Sequence, residues 1–165
     1  SLMEYCWTIK PSLILYVLER YNISSVIYTD ADMYFFSSCN ELLEQWKGYS
    51  VFMCRQRESF QMERLYGGFQ AGLLGFSRDV CSIAILNWWR DKCLEWCYDS
   101  IDEQNQRWGD QKYLDLVPNL FSNIKIISDP GINAAPWNLV WNNSYQVNSK
   151  EDAIYIDNHK LVCYF

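Results

Sequence analysis

Two aspartates one residue apart, Asp30 and Asp32, close the apolar run Ser25-Val26-Ile27-Tyr28-Thr29. Val26, Ile27 and Tyr28 have the β-branched and aromatic character of a short central strand. A buried strand tolerates Asp only where the chain leaves the core, so both carboxylates fall at its exit. Residues i and i+2 of an extended chain point to the same side, which lets both carboxylates face one small volume. Two like charges there call for a cation. Oxygen ligands suit Mg²⁺ or Mn²⁺, and a site with few protein ligands leaves room for substrate phosphates. The alternative is a turn in which one Asp caps a following helix, but Met33 to Phe36 reads as another strand.

Three further stretches carry polar groups of interest. Gly67 to Ser77 holds four glycines in nine residues of a strand-like run, so backbone there approaches another backbone or a ligand closely. It lacks the lysine and helix start of a phosphate-binding P-loop. In Trp108-Gly109-Asp110-Gln111 the aspartate is either a helix cap, which the spacing favours, or a functional acid. In Ile132 to Asn138, two amides, Asn133 and Asn138, flank Trp137, a combination able to hold a hydroxylated ligand or to build a rigid surface turn. Lys10 opens a helix and is either solvated or a second cation for an anionic substrate.

The net charge of −6 and the lack of a basic run argue against nucleic acid or an anionic membrane as partner. An anionic substrate would need a metal or a few placed cations. The aromatic load, 8 Trp, 12 Tyr and 8 Phe, serves the core first, although carbohydrate sites also use exposed aromatic faces. Seven cysteines include no C-x-x-C pair; Cys93 and Cys97 are one helical turn apart, and the single histidine, His159, is distant in sequence. Free thiols in a reducing, cytoplasmic compartment are expected, and a zinc cluster is not. The longest clear apolar run, Leu13 to Leu18, is too short for a transmembrane segment.

The elements that must position these groups follow from periodicity and punctuation. Lys10-Pro11-Ser12 opens a helix with proline in its first turn, with Ile14, Val17, Leu18 and Tyr21 at helical spacing, and it feeds the aspartate-bearing strand. Ser37 to Asn40 offers caps for a helix over Glu41 to Lys47, with Leu42, Leu43 and Trp46 inward and Gly48 as the stop. Tyr49 to Cys54 is a strand and Arg55 to Glu63 a loop. The longest helix runs from Arg78 to Tyr98, with Cys81, Ala84, Ile85, Trp88 and Trp96 near one face. Leu114, Val117 and Phe121 mark a short helix interrupted by Pro118. Asn123 to Ser128 is a strand, and short strands over Tyr145 to Val147, Ala153 to Ile156 and Leu161 to Tyr164 close the chain. Alternating helix and strand predict one three-layer α/β/α domain over residues 1–165, with Val26 to Thr29 central.

Taken in order, these landmarks resemble the nucleotide-sugar glycosyltransferases of the metal-using GT-A type, glycogenin-like and bacterial lipopolysaccharide-type enzymes in particular. The Lys-Pro helix start, Asp30-Ala31-Asp32, Gly68-Phe69-Gln70-Ala71-Gly72, Asp110-Gln111 and Asn133 to Asn138 carry the likeness. It implies that Asp30 and Asp32 hold Mn²⁺ or Mg²⁺ on a nucleoside-diphosphate-sugar donor. Asp30, Lys10, Gly68, Gln70, Ala71, Gly72 and Gln111 would then line the donor site. By the same likeness Asp110 is the acid beside the transferred sugar, and Asn133, Trp137 and Asn138 form the sugar and acceptor rim. Gln70 stands where the family usually has Asn. The implied reaction is metal-dependent sugar transfer, with retention, to a saccharide or glycolipid acceptor. A first β-α-β portion and a histidine ligand beyond Leu161 to Phe165 are expected outside these residues. A non-catalytic carbohydrate- or nucleotide-binding module, and a haloacid-dehalogenase-like phosphatase using Asp30, are the competing readings.

Overall fold

The computed structural model describes residues 1–141 and 145–165. Its first helix, α1 (Leu2–Arg20), begins well before the proline. Ser1 Oγ accepts the Glu4 amide and the Glu4 carboxylate reaches back to the Ser1 amine, a reciprocal cap that fixes the start. Pro11 therefore lies inside the helix and not in its first turn, a correction to the expectation above. It gives up one backbone bond there, and burial of Lys10, Pro11, Ile14, Leu15 and Leu18 on the same helix holds the segment in place.

The main sheet contains β1 (Ser25–Thr29), β3 (Val51–Arg55), β4 (Phe69–Ser77) and β5 (Ile124–Ile127), in the order β1-β4-β3-β5. β4 runs antiparallel to both β1 and β3, while β3 and β5 are parallel, so the sheet is mixed. The strand expected to be central, β1, is an edge strand of this sheet. Its ends are exposed and its middle only half-buried, whereas β4 is buried along all but its last residue. Three apolar residues in a row do not distinguish an edge strand from a central one; the long buried run of β4 does.

Strand alternation sends β3 side chains to opposite faces. Val51 and Met53 pack with Ile14 and Leu18 of α1 and with Ile85 and Trp89 of α4 (Val80–Glu95). Phe52 and Cys54 pack on the other side with Leu42 and Trp46 of α2 (Asn40–Trp46), Leu73 and Ile127. The chain is thus a mixed α/β fold with helices against both faces of the sheet. Asp79 caps α4 by accepting the Ser82 amide at 2.8 Å. The buried face of α4 is Ser82, Ile85, Leu86, Trp89 and Cys93, so the expected face is shifted and Ala84 is exposed. Leu43, expected inward, is exposed as well.

Two expected loops contain helices. α3 (Phe60–Tyr66) follows a Ser59 cap, and none of its residues is fully buried, which is why it shows no apolar period. α6 (Pro136–Trp141) starts at proline within the amide-rich stretch. The Leu114 to Phe121 region is a 3₁₀ turn, Lys112–Leu116, followed by α5 (Val117–Leu120), with Pro118 accommodated in its first turn. β6 (Val147–Lys150) lies later than the expected Tyr145 to Val147 strand and pairs with β7 (Ala153–Ile156), which in turn pairs with β8 (His159–Lys160). β9 (Cys163–Tyr164) pairs with β2 (Tyr34–Phe35), tying the segment just after Asp32 to the end of the closing β region.

The register of β4 against β3 slips between Met53, opposite Leu74, and Cys54, opposite Gln70. The slip leaves Ala71 and Gly72 without partners on β3, and the Gly72 carbonyl accepts the Asp30 amide at the exit of β1 instead. Packing is tightest at Gly75, where an added Cβ would run into the ring of Phe52, itself fully buried and edge-on to Trp46 at 5.2 Å. Gly75→Ala should destabilise the fold by about 1–3 kcal/mol through overpacking. Gly68→Ala, whose added carbon meets nothing closer than 3.7 Å, should cost clearly less. Urea midpoints of the two variants test this, and equal midpoints would refute the packing argument.

Candidate functional site

The ammonium of Lys10 lies on the inward face of α1 with only 4% of the residue exposed. It sits 2.9 Å from Asp110 Oδ2 and 3.5 Å from Asp30 Oδ1, and it donates to the Ala71 carbonyl at 3.2 Å. The Tyr28 ring lies 5.0 Å away, and the Tyr28 hydroxyl donates to Asp30 Oδ1 at 2.7 Å. Lys10 is therefore neither a helix-start residue nor solvated. Burial opposes its charge, but Asp110 and Asp30 outweigh that penalty and raise its pKa above the ordinary lysine value. Burial of Asp110, 3% exposed, raises its pKa despite the pull of Lys10. The two directions agree physically, since one ammonium serves two carboxylates and the deeper carboxylate is left incompletely compensated. Burial, followed by its bond to Asp30, raises the Tyr28 pKa too.

The bulged backbone holds this network. Asp30 N–H donates to the Gly72 carbonyl at 2.9 Å, extending the β1–β4 ladder by one step. A Cβ at Gly72 would lie 2.9 Å from Asp30 Oδ2 and 3.1 Å from the Phe165 ring, so only glycine lets the carboxylate come so close. The Ala71 amide donates to Gln111 Oε1 at 3.1 Å, and Gln111 Nε2 donates to the Tyr66 carbonyl at 3.2 Å. The Asp110 backbone is pinned in turn, its carbonyl accepting Trp89 Nε1 at 2.8 Å. Asp110 therefore does not cap the following turn, whose first residues carry no side-chain cap.

Asp30, Asp32 and Lys10 open onto one cleft of about 540 Å³, whose walls include Trp7, Tyr28 and Phe165. Asp32 is exposed on it. These carboxylates are the hard oxygen donors that Mg²⁺ or Mn²⁺ prefers. Oδ1 of Asp30 is occupied by the Tyr28 hydroxyl, while Oδ2 faces the space that Gly72 leaves free. The donor set fits a cation that takes its remaining ligands from substrate or water. Among the described residues no three His, Cys, Asp or Glu gather as a closed metal cage. His159 lies 3.1 Å from Asp129, in a pair of its own.

The other expected site residues divide. Gln70, Gln111 and Trp137 line a second cleft of about 410 Å³, which shares Phe165 with the first. Gly68 lies apart from both, donating to Asp115 Oδ1 at 2.8 Å and lining a groove with Arg55 and Glu63. Asn133 and Asn138 are 2% and 3% exposed and so do not form a rim. Asn138 Nδ2 donates to the Gln56 and Arg57 carbonyls and its Oδ1 accepts the Ala135 amide, which locks two loops together. Arg57 completes that lock by donating to the Asp129, Ile132 and Asn133 carbonyls. Tyr28, Trp7, Gln56 and Phe165 are site residues that spacing did not single out. Only Tyr28 carried a sequence signal, since it stands two residues before Asp30 and so on the same strand face.

Lys10→Met should remove the one cation from a buried site and leave Asp110 uncompensated, at a cost of about 3–5 kcal/mol. Adding Asp110→Asn to Lys10→Met should recover part of that loss. A carboxyl group whose pKa is raised by folding contributes stability that is complete below its unfolded pKa and lost as pH rises through the folded pKa. Loss of Lys10 pushes Asp110 further up, so the deficit of Lys10→Met should be smallest in acid and grow with pH above the ordinary Asp range. Lys10 itself contributes across neutral pH and loses its contribution only above the ordinary lysine range. Urea midpoints of parent, single and double variants across pH measure this; a pH-independent deficit would contradict it.

All seven cysteines are free thiols, four of them buried. No helix among the described residues is long and apolar enough to cross a membrane. No protein-family model matches the chain. It is 28% identical over 165 residues to the uncharacterized protein YfnD of Bacillus subtilis (strain 168), a match covering 98% of this chain and 52% of that protein. To the uncharacterized protein YfnF of the same strain it is 34% identical over 145 residues, covering 82% of this chain and 47% of that protein. The chain spans about half the length of the curated relatives it matches.

Proposed function

We propose that this chain is part of a cytoplasmic GT-A-type glycosyltransferase with a three-layer α/β/α core. It transfers a sugar, with retention, from a nucleoside-diphosphate donor to a saccharide or glycolipid acceptor, with Mn²⁺ or Mg²⁺ as cofactor. The observation that carries this reading is the convergence of Asp30, Asp32 and the buried Lys10 on one open cleft at the exit of β1. Helices on both faces of a mixed sheet support the layering, and ligands of open α/β sheets bind beyond strand ends such as this one. Free thiols accord with a reducing compartment.

Departure of a nucleoside diphosphate concentrates negative charge on the leaving phosphates, and a divalent ion, when bound, stabilises that charge without proton transfer. Asp32 presents an exposed carboxylate for such a cation, and Asp30 a second one fixed by Tyr28 and by the Gly72 carbonyl. Lys10 places a fixed positive charge at the back of the same cleft. Asp110 faces Lys10 and not open space; its part is to hold that ammonium, a positioning role in place of direct contact with the sugar. Gln111 braces the bulged strand through Ala71, and Gln70 remains on the cleft wall beside it.

Asp32→Asn keeps the shape of the side chain and removes its charge. Loss even of an indirect metal partner typically weakens affinity about 10- to 100-fold, and loss of a direct ligand should weaken joint binding of metal and donor at least as much. The fold should survive, because Asp32 is exposed. Calorimetric titration of the full-length protein with nucleoside-diphosphate sugars, with and without Mn²⁺, tests this on parent, Asp32→Asn and Asp110→Asn. Binding that ignores Mn²⁺ and survives Asp32→Asn would overturn the proposal and leave a metal-independent binding module.

A further inference from the structure

The outward face of α1 is apolar along most of its length. Between Glu4 and Glu19 the one charged residue is Lys10, and its side chain points inward. Leu2, Tyr5, Ile9, Leu13 and Tyr16 are all exposed, and at 3.6 residues per turn they fall in one stripe. Ile14, Leu15 and Leu18 lie on the opposite side, packed on the sheet and α4, so the stripe faces away from the rest of the fold. A helix with apolar residues on every side belongs in an interior, and a solvated face would carry the charges that this one lacks. The apolar surface continues onto α4 at the Glu19 end. There Val80 is 89% exposed, and with Glu19, Ile83, Ala84 and Asn87 it borders a groove of about 550 Å³.

We infer that this stripe is the contact between two copies of the chain, each α1 packed antiparallel to its partner's α1 about a two-fold axis at Ile9. The spacing carries the argument. The other four positions lie four and seven residues to either side of Ile9. An antiparallel partner therefore sets Tyr5 against Leu13, Leu2 against Tyr16, and Ile9 against its own copy. A two-fold contact needs such a self-complementary set, in which one residue meets a second and the second meets the first. The five side chains expose on the order of 500 Å² on each protomer, the tyrosines contributing most, where a stable interface takes about 800 Å² from each partner. The antiparallel arrangement brings the partner's first turn toward Val80 and its groove, which supply the remainder. Aromatic side chains with few Lys or Glu are also the composition of an interface centre. A lipid surface suits the helix less, because a helix lying on a membrane carries Lys and Arg along its polar face and the net charge of this chain is −6. Met3, Cys6, Trp7 and Lys10 lie on the neighbouring flank, on the wall of the carboxylate cleft. The pairing leaves that cleft open and does not depend on the transfer reading.

Sedimentation equilibrium of the full-length protein over a range of concentrations should show monomer and dimer in exchange. Tyr5→Glu and Leu13→Lys place a charge on the stripe at positions 62% and 46% exposed, so the core should tolerate both and thermal midpoints should hold. Each should weaken the dimer at least about tenfold, because the contact would bury an unpaired charge. An equal mixture of the two variants should recover dimers close to the parental affinity. In the mixed antiparallel pair the new Glu meets the new Lys at one contact, and Tyr5 meets Leu13 at the other. Dimers that neither variant weakens would overturn the inference, as would a mixture that fails to recover. A protein that stays monomeric at every concentration would overturn it as well. Such a monomer losing thermal stability in both variants would point to cover by a further segment of the same chain, and cosedimenting with phosphatidylcholine vesicles would point to a lipid contact.

Discussion

The position of Lys10 is the constraint on which the site depends. A lysine side chain on the inner face of a helix must either reach water or find carboxylates, and this one finds two, at 2.9 and 3.5 Å. The pairing crosses three separate parts of the chain: α1, the exit of β1, and the turn before the Lys112–Leu116 helix. It thereby sets how far α1 can slide along the sheet. It also requires the Ala71 carbonyl to point at the ammonium, and the register slip in β4 allows this by releasing that backbone from β3. A buried ion pair is a weak source of net stability but costs much when broken. Its effect is to specify one arrangement of these elements over neighbouring ones.

The same slip gives the glycine-rich segment its meaning. Gly72 is needed because the Asp30 carboxylate and the Phe165 ring both lie over it, and Gly75 because Phe52 occupies the space a methyl group would fill. Gly68 has ordinary clearance, and its backbone serves the Asp115 and Lys112 corner instead. One run of glycines thus does two jobs on one strand, admitting a carboxylate at one point and a core ring at another. Phe165 separates the two clefts, touching the carboxylate side over Gly72 and the aromatic side against Trp137.

Much of this was legible in the sequence where a local rule sufficed. The strand at Val26 to Thr29 and the strand after Asp32 follow from alternation and residue type, and the structure has β1 and β2 there; the two aspartates between them, expected in extended backbone, lie instead at a turn closed by the Met33 amide on the Asp30 carbonyl. Leu42 and Trp46 were readable as core from helical spacing. The misreadings share one cause, which is that tertiary contact overrode a local signal. Pro11 marks a helix start only if nothing upstream supplies a better cap, and Ser1 with Glu4 supplies one. α3 buries no residue fully and so has no period to find. Asn133 and Asn138 look like surface amides in sequence, yet both are buried: the Asn138 amide satisfies the Gln56 and Arg57 carbonyls, and the Asn133 backbone carbonyl accepts the Arg57 side chain. The ion pair of Lys10 with Asp110 joins residues a hundred positions apart, and no spacing rule reaches that far.

Charge distinguishes the two clefts. Around the first lie three carboxylates and one ammonium, which pairs with Asp30 and Asp110 and leaves Asp32 unmatched, so the formal local charge is negative even with Lys10 in place. A diphosphate entering that space alone meets repulsion that the protein does not cancel, and a divalent cation reverses the sign. The second cleft carries a single carboxylate and four aromatic faces, a surface that favours a neutral ring over an anion.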